Sequence, residues 1–380
     1  ALRGLAGLFK GQTVALQITR VDAAFLVLTV VGTILPLWWE IARAIRPSRD
    51  DVLHSLVLWK YFALYLIIRA SIRTVAQLRT CLWVVLGANG LVGALAIMQA
   101  MHLFGVDRLM ATFYPPLGVA RAALAGRGSS TLAHSIAVGD VMAMSLAITV
   151  AMLLVRRRSL DPLWGFVAVF ALGGVASGQM SGVIALAVAV LAVGYATKRL
   201  ARVYLVGVPI LAIAGVLLMP VLNNRFAAAS AAAGVPPSWT GRLENLQTHI
   251  WPRLFSDLNY VLGVRPSPRL PAWEAWREWI FIESGYTWFL WVGGIPLLLA
   301  FFYFARVVIR SSLAIVRERA NGVTIPAVAV FAAMWMLVVL SLVDAHLTLR
   351  GVADLFYPLL ALMSVAVPNK DVLFTHELRI

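Results

Sequence analysis

The stretch Arg225–Glu283 reads RFAAASAAAGVPPSWTGRLENLQTHIWPRLFSDLNYVLGVRPSPRLPAWEAWREWIFIE, a long polar run hung between two apolar segments. Seven of the chain's 13 Trp lie in it or just beyond it: Trp239, Trp251, Trp273, Trp276, Trp279, Trp288 and Trp291. Arg242, Arg253, Arg265, Arg269 and Arg277 are interleaved with them. Aromatic faces suit the apolar face of a sugar ring, and guanidinium forks suit phosphate oxygens. A connection of this length inside a compact domain is usually functional. The plainer reading is a Trp/Arg belt at a membrane surface. A belt accounts for Trp288 and Trp291 but does not require the polar run from Ser238 to Arg277.

Outward from that loop the chain is oily. Of its 380 residues 61% are hydrophobic and 13% charged, against about 25% charged in an ordinary soluble domain. Apolar runs long enough to cross a bilayer as helices recur along almost the whole length. They predict an all-α, polytopic transmembrane bundle with spans near 21–41, 52–69, 80–102, 131–155, 162–178, 181–197, 203–222, 284–306, 325–345 and 351–367. The division is a seven-span unit over 1–222, an Arg/Trp-rich loop over 223–283, and a three-span unit with a tail over 284–380. The sequence opens at Ala1 without Met and shows no cleavable signal, which reads as a truncated start with one or more spans missing.

The net charge of +15 sits mostly in short connections. Placing Arg156–Arg158, Lys198–Arg202 and Arg306–Arg319 in the cytoplasm requires even numbers of spans between them, and the assignment satisfies this. The long loop then lies outside the cytoplasm, together with 42–51, 102–131 and 346–350. Two of those outer connections are themselves basic, with Arg43, Arg46 and Arg49 in one and Arg108, Arg121 and Arg127 in the other. Outer arginines have no topogenic purpose, so they are either tolerated or hold a ligand. Membrane lipids are expected partners of the basic loops. No compact basic domain exists to bind nucleic acid. The single cysteine, Cys81, excludes intramolecular disulfides and a Cys-based metal site.

Motifs of soluble catalysis are absent: no Walker loop, no HExxH, no Gly-x-Ser-x-Gly and no Asp-rich metal cluster. What remains is outer-face arginine with a few titratable groups. Glu283 sits where the long loop returns to the membrane, a costly depth for a carboxylate unless it is paired or lines a wet cavity. His249, His346 and Asp344 fall near the same surface, and His134 near the outer end of the fourth span. Each His is either a proton acceptor or a satisfied polar contact. Asp140, inside that span, reads as the structural partner of an Arg. Gly174, Gly178 and Gly182 repeat every four residues, a face for close helix approach, with Gln179 at the turn able to face a cavity. Together these residues suit a lipid-linked, phosphate-bearing donor and a hydroxyl acceptor. Arg forks would stabilise the leaving diphosphate, a carboxylate or imidazole would take the hydroxyl proton, and the energy stored in the donor removes the need for a nucleotide site.

The order of several fragments resembles the bacterial O-antigen ligase and O-antigen polymerase superfamily. They are Ile18–Asp22, Leu58–Phe62 through Arg69, Gly126–Gly139, Gly178–Leu186, Thr240-Gly241-Arg242, Leu262-Gly263, and Glu283-Ser284-Gly285-Tyr286 followed by Gly293–Pro296. The resemblance implies a metal-independent, inverting glycosyltransferase of the bacterial cytoplasmic membrane that uses no cofactor. Its donor would be an undecaprenyl-diphosphate-linked oligosaccharide, its acceptor a glycan or lipid-linked glycan, and its further partners polysaccharide assembly proteins. Carried onto this chain, the catalytic candidates are Glu283, His249 and Arg242. The substrate-binding candidates are Arg127, Arg265, Arg269, Trp273, Trp276, Trp279, His134 and Gln179, with no metal site. Members often have Arg in the hairpin turn, where this chain has Gln179 or Met180. Ligases often have His where this chain has Glu283, so a polymerase-type relative fits better. The alternatives are a flippase of lipid-linked saccharides and a non-catalytic scaffold. A flippase would want charge distributed through many spans, whereas here the intramembrane charges are Glu40, Lys60, Asp140 and Asp344.

Overall fold

The computed structural model describes residues 14–115, 126–156, 161–223, 237–272, 279–318, 324–365 and 372–378. Each of the ten apolar segments contains a helix among the described residues. The helices are α1 (Arg20–Ala42), α2 (Arg49–Ser55) running on into α3 (Val57–Ser71), α4 (Val75–Ala100), the short α5 (Val106–Phe113), α6 (Ser135–Arg156), α7 (Leu163–Ala176), α8 (Met180–Ala196) and α9 (Leu200–Leu217). The polar loop contributes α10 (Pro237–Asn245), a wider π-helical turn (Leu246–Ile250), α11 (Trp251–Leu254) and α12 (Asn259–Leu262). The chain continues through α13 (Gly285–Glu318), α14 (Thr324–Leu340) and α15 (Val352–Ser364).

Among the described residues six stretches are long and apolar enough to cross a membrane: Arg20–Ala42, Arg49–Ser71, Val75–Ala100, Ser135–Val155, Leu200–Leu217 and Gly285–Glu318. The apolar helices α7, α8, α14 and α15 are shorter, at 14, 17, 17 and 13 residues. Sequence hydropathy overestimates α7 and α14 because it counts turn residues such as Ser177 and Ser341–Ala345 that follow the helix, while it gives α8 its full length. The described residues also form two small antiparallel pairs, β1 (Val14–Thr19) with β4 (Val372–Leu378) and β2 (Arg269–Pro271) with β3 (Trp279–Phe281).

The core is organised around α6, α8 and α14, whose residues are largely buried. Gly139 of α6 and Gly182 of α8 face one another so closely that a Cβ on Gly139 would lie 2.9 Å from the Gly182 Cα. The small residues therefore serve close packing, the use that lets membrane helices gain dispersion contact. Beside this core Phe25, Tyr357 and Tyr61 stack in series, with centroids 4.7 and 4.9 Å apart. At one end of the bundle Asp22 completes the capping box that starts α1. It also accepts from the Tyr65 hydroxyl (2.6 Å) and from Arg69, which binds α1 to α3.

At the other end the polar loop is lashed to the end of α1 and the first turn of α2. Asp51 caps α2 by accepting from the Ser48 N–H (3.0 Å). It also accepts from Arg265 Nε and Nη2 (2.9 and 2.8 Å) and from the Ser267 N–H (3.1 Å). Asp50 accepts from Arg269 and the Ser267 hydroxyl. Arg43 donates to Asn259 Oδ1 (3.0 Å) and to the Val264 carbonyl, and Trp39 Nε1 donates to the Gly263 carbonyl (3.0 Å). Helix α13 breaks at Gly293 and Gly294, the latter at φ +62° and ψ −158°, a conformation open essentially to glycine alone. The break frees the Trp291 carbonyl to accept from the Val264 N–H at 2.6 Å. Trp291 is fully buried and its Nε1 donates to the Ser267 carbonyl (3.0 Å); Trp288 is 9% exposed. These two Trp are thus packing and anchoring residues, not the interfacial belt that the sequence suggested, because the loop folds down over the bent start of α13.

Candidate functional site

Four segments distant in sequence meet at the loop end of the bundle: the approach to α6, the turn between α7 and α8, helix α10 with the return at Glu283, and the connection between α14 and α15. The approach to α6 is held in an uncommon shape. Ser130 and Ala133 adopt left-handed backbone (φ 50° and 57°), which costs roughly 1–3 kcal/mol per residue and persists where surroundings over-determine it. Those surroundings are Gln99 of α4, whose Oε1 accepts from the Ser129 and Ser130 N–H groups (2.9 and 2.7 Å), and the Ala176 carbonyl, which accepts from the Gly128 N–H (2.9 Å). A Cβ on Gly178 would lie 3.3 Å from Arg127 Cγ, so the Arg127 stem lies across the turn. Gln179 donates to the Ser135 hydroxyl at 2.7 Å. Arg127, His134 and Gln179, all candidates from sequence, thus lie around one corner.

Arg242 projects from α10 to the same end. Its Nη1 donates to the Val343 carbonyl (2.6 Å), its Nη2 lies 3.4 Å from Asp344 Oδ2, and its Nε lies 3.8 Å from Glu283 Oε1. The side chain is 16% exposed. Asn245, one turn further along α10, donates to Glu283 Oε2 (3.3 Å). A Cβ on Gly285 would lie 2.8 Å from the Asp344 carbonyl, and Tyr286 N–H donates to the Ser341 carbonyl at 3.2 Å. The start of α13 therefore rests directly on the α14–α15 connection.

Behind Arg242 is a pair that the sequence did not foresee. Asp140 of α6 and His346 of the α14–α15 connection, both fully buried, meet at 2.5 Å between Oδ2 and Nδ1. Asp140 was expected to partner an arginine; its partner is a histidine 206 positions away. Burial disfavours charging His346, but the adjacent Asp140 carboxylate, helped by Asp344, overrides it and raises the imidazole pKa. At His134 burial wins over the pull of Asp344 and Asp140 and lowers the pKa. His346 and Arg242 are also electrostatic neighbours of His134.

The remaining candidates lie elsewhere or serve other ends. Arg265 and Arg269 have their forks on Asp51 and Asp50, and hydrogen bonding to Asp51 raises the Arg265 pKa. Arg269 also covers the Trp279 ring at 4.3 Å. His249 is half-buried in the π-helical turn beyond Asn245. Trp273 and Trp276 lie outside the described residues. Among the described residues no group of three or more His, Cys, Asp or Glu side chains is gathered to hold a metal ion. A cavity of about 960 Å³, lined by apolar residues of α6 to α9 with Lys198, Arg199 and Arg202, shares no residue with this site. It lies toward the other end of the bundle, where Arg199 donates to the Leu154 carbonyl (3.1 Å).

The fold and composition define a helical membrane protein with a polar cluster at one end of its bundle. Comparison of the chain with family models, with characterised proteins and with solved structures gave no match.

Proposed function

We propose that the protein is an integral membrane glycosyltransferase of the O-antigen ligase/polymerase type. It would act on the outer face of a bacterial cytoplasmic membrane, in a ten-span arrangement with the polar loop outside. Its donor is an undecaprenyl-diphosphate-linked oligosaccharide and its acceptor a hydroxyl of a glycan or lipid-linked glycan. One observation carries the reading: Arg242 is largely buried where the loop, the start of α13 and the α14–α15 connection join, its fork held by Val343, Asp344 and Glu283. A guanidinium has five N–H donors, so donors remain to address diphosphate oxygens. Fixed orientation is what stabilisation of a departing anion requires, since the dipoles need no reorganisation as charge develops. Arg127 lies across the neighbouring turn and adds a second cation.

In this reading Glu283 and Asp344 orient Arg242, a use that fits their contacts with it. The Trp279 ring, stacked on Arg269, offers its other face to glycan. The experiment is transfer by the purified protein in lipid nanodiscs, with a lipid-diphosphate oligosaccharide as donor and a matching acceptor. Lengthened or relocated glycan is expected from wild type and little from Arg242→Ala. Movement of unaltered donor across a vesicle membrane, without new glycosidic linkages, would replace the transferase reading with transport.

A further inference from the structure

Three atoms of the buried cluster have no hydrogen-bond partner among the described residues: His346 Nε2, Asp140 Oδ1 and His134 Nδ1. A pair kept only for stability would not look like this. Apolar side chains of similar volume would usually serve as well as a buried ion pair, and each buried polar atom left unmet costs roughly 1–3 kcal/mol. Interiors carry few such groups, and those present call for a water, a ligand or a chemical role. The location narrows the choice, because Asp344 precedes His346 by two residues and also holds the fork of Arg242.

We infer that Asp140 and His346 form the proton-accepting dyad of this site, with His346 Nε2 taking the proton of the acceptor hydroxyl and Asp140 positioning the ring. The inference rests on the transferase reading and adds the base to it. Nδ1–H of His346 donates to Asp140, which leaves the Nε2 lone pair to accept. In the transfer step the acceptor oxygen forms a bond to the donor's anomeric carbon. The bond from that carbon to the diphosphate oxygen breaks, and the electron pair leaves with the lipid diphosphate, held by Arg242. The hydroxyl proton passes to Nε2 directly or through one water. The imidazolium so formed is balanced by the Asp140 carboxylate, and its proton later returns to solvent. The charged and titratable groups facing His346 are Asp140 from α6, Asp344 from its own connection, Arg242 from α10 and His134 from the approach to α6. Glu283 stands beyond Arg242. The carboxylates raise the pKa of the imidazole and so make it a stronger base, active in its neutral form above that pKa.

The test uses the full protein in nanodiscs, with single-turnover transfer followed across pH and donor binding measured separately. His346→Gln is expected to lose about 100-fold or more in rate while donor affinity stays within about threefold. Asp140→Asn is isosteric and removes the balancing charge, so the acid limb of the rate profile should move down by about one pH unit or more. A purely structural pair would lower folded yield without moving that limb. If the limb stayed in place and His346→Gln transferred at near wild-type rate, the dyad would be overturned while the transferase reading stood. If wild type bound donor but transferred nothing, the transferase reading would fall, and the dyad's part in it with it. Histidine ¹⁵N NMR, assigned by difference with His346→Gln, reads the dyad without activity. The His346 pKa should drop in Asp140→Asn, and an unchanged value would overturn the dyad whatever the enzyme does. Should His346→Gln not fold, the Asp140→Asn rate profile carries the test, its limb shifting with that of the dyad or refuting it by staying.

Discussion

Arg265 is a substrate-binding candidate by sequence, and its contacts suggest a different task that a double-mutant cycle can decide. Asp51 is 2% exposed and Arg265 is 32% exposed, and the guanidinium donates to the carboxylate through two N–H groups. Breaking a fully buried pair costs about 3–5 kcal/mol. Here the carboxylate keeps the Ser48 N–H, the Ser48 hydroxyl and the Ser267 N–H, and the arginine can reach solvent. The cost of Arg265→Gln should therefore fall to about 2 kcal/mol. Asp51→Asn should cost about 2–3 kcal/mol, since the amide keeps one accepting oxygen while its NH2 end can only donate, leaving either the Ser48 or the Ser267 N–H without its acceptor. The double variant removes both charges together, so we expect about 1–2 kcal/mol of coupling instead of additivity. Equilibrium unfolding in mixed micelles, followed by Trp fluorescence, supplies the energies. Transfer assays on the same proteins supply the second readout. A lock predicts that activity returns in the double variant along with stability. Additivity within about 0.5 kcal/mol, or a double variant that is stable and inactive, would refute the lock and restore Arg265 to the substrate.

Arg242→Lys keeps the charge but loses the fork, and should lower transfer by about 100-fold or more; single-turnover rates measure it. Glu283→Gln should retain transfer within about tenfold, because Gln still bonds to Asn245 and the base lies at His346; a loss matching the typical general-base effect of about 100-fold or more would return that role to Glu283. Gly294→Ala should destabilise by more than about 3 kcal/mol, combining a forbidden backbone region with a Cβ driven into the Val261 carbonyl; folded yield and unfolding midpoint read this out. On a Cys81→Ser background, Ser256→Cys and Arg317→Cys should label from opposite sides of the membrane, and labelling from one side would sink the outer placement of the loop.

The helices and much of the candidate list were legible because their signals are local. A run of apolar residues is a helix in lipid whatever lies beside it, since backbone groups there must bond within the segment. Gly174 and Gly182 pack as closely as their spacing suggests, whereas Gly178 serves the turn between α7 and α8 at φ +62°. Arg127, His134 and Gln179 could be picked out as polar residues at the edges of apolar runs. That they share a corner was not readable, since Gln99 and the Ala176 carbonyl, which shape the approach to α6, belong to other elements.

Pairing is where sequence stops. Nothing in spacing links Asp140 to His346, or Asp51 to Arg265, across more than 200 intervening positions. Nor does it separate an arginine held by a carboxylate from one that faces a ligand, because composition counts both alike. The sequence by itself determined a helical, membrane-crossing chain with most of its charged residues in the connections between spans, since solvent chooses residue types segment by segment. Only the tertiary structure decided that Arg265 and Arg269 face Asp51 and Asp50 while Arg242 is held at a joint beside a buried Asp–His pair. The reason is physical: a charge's role depends on which opposite charge lies within a few ångströms, and that distance is set by helices packing against one another.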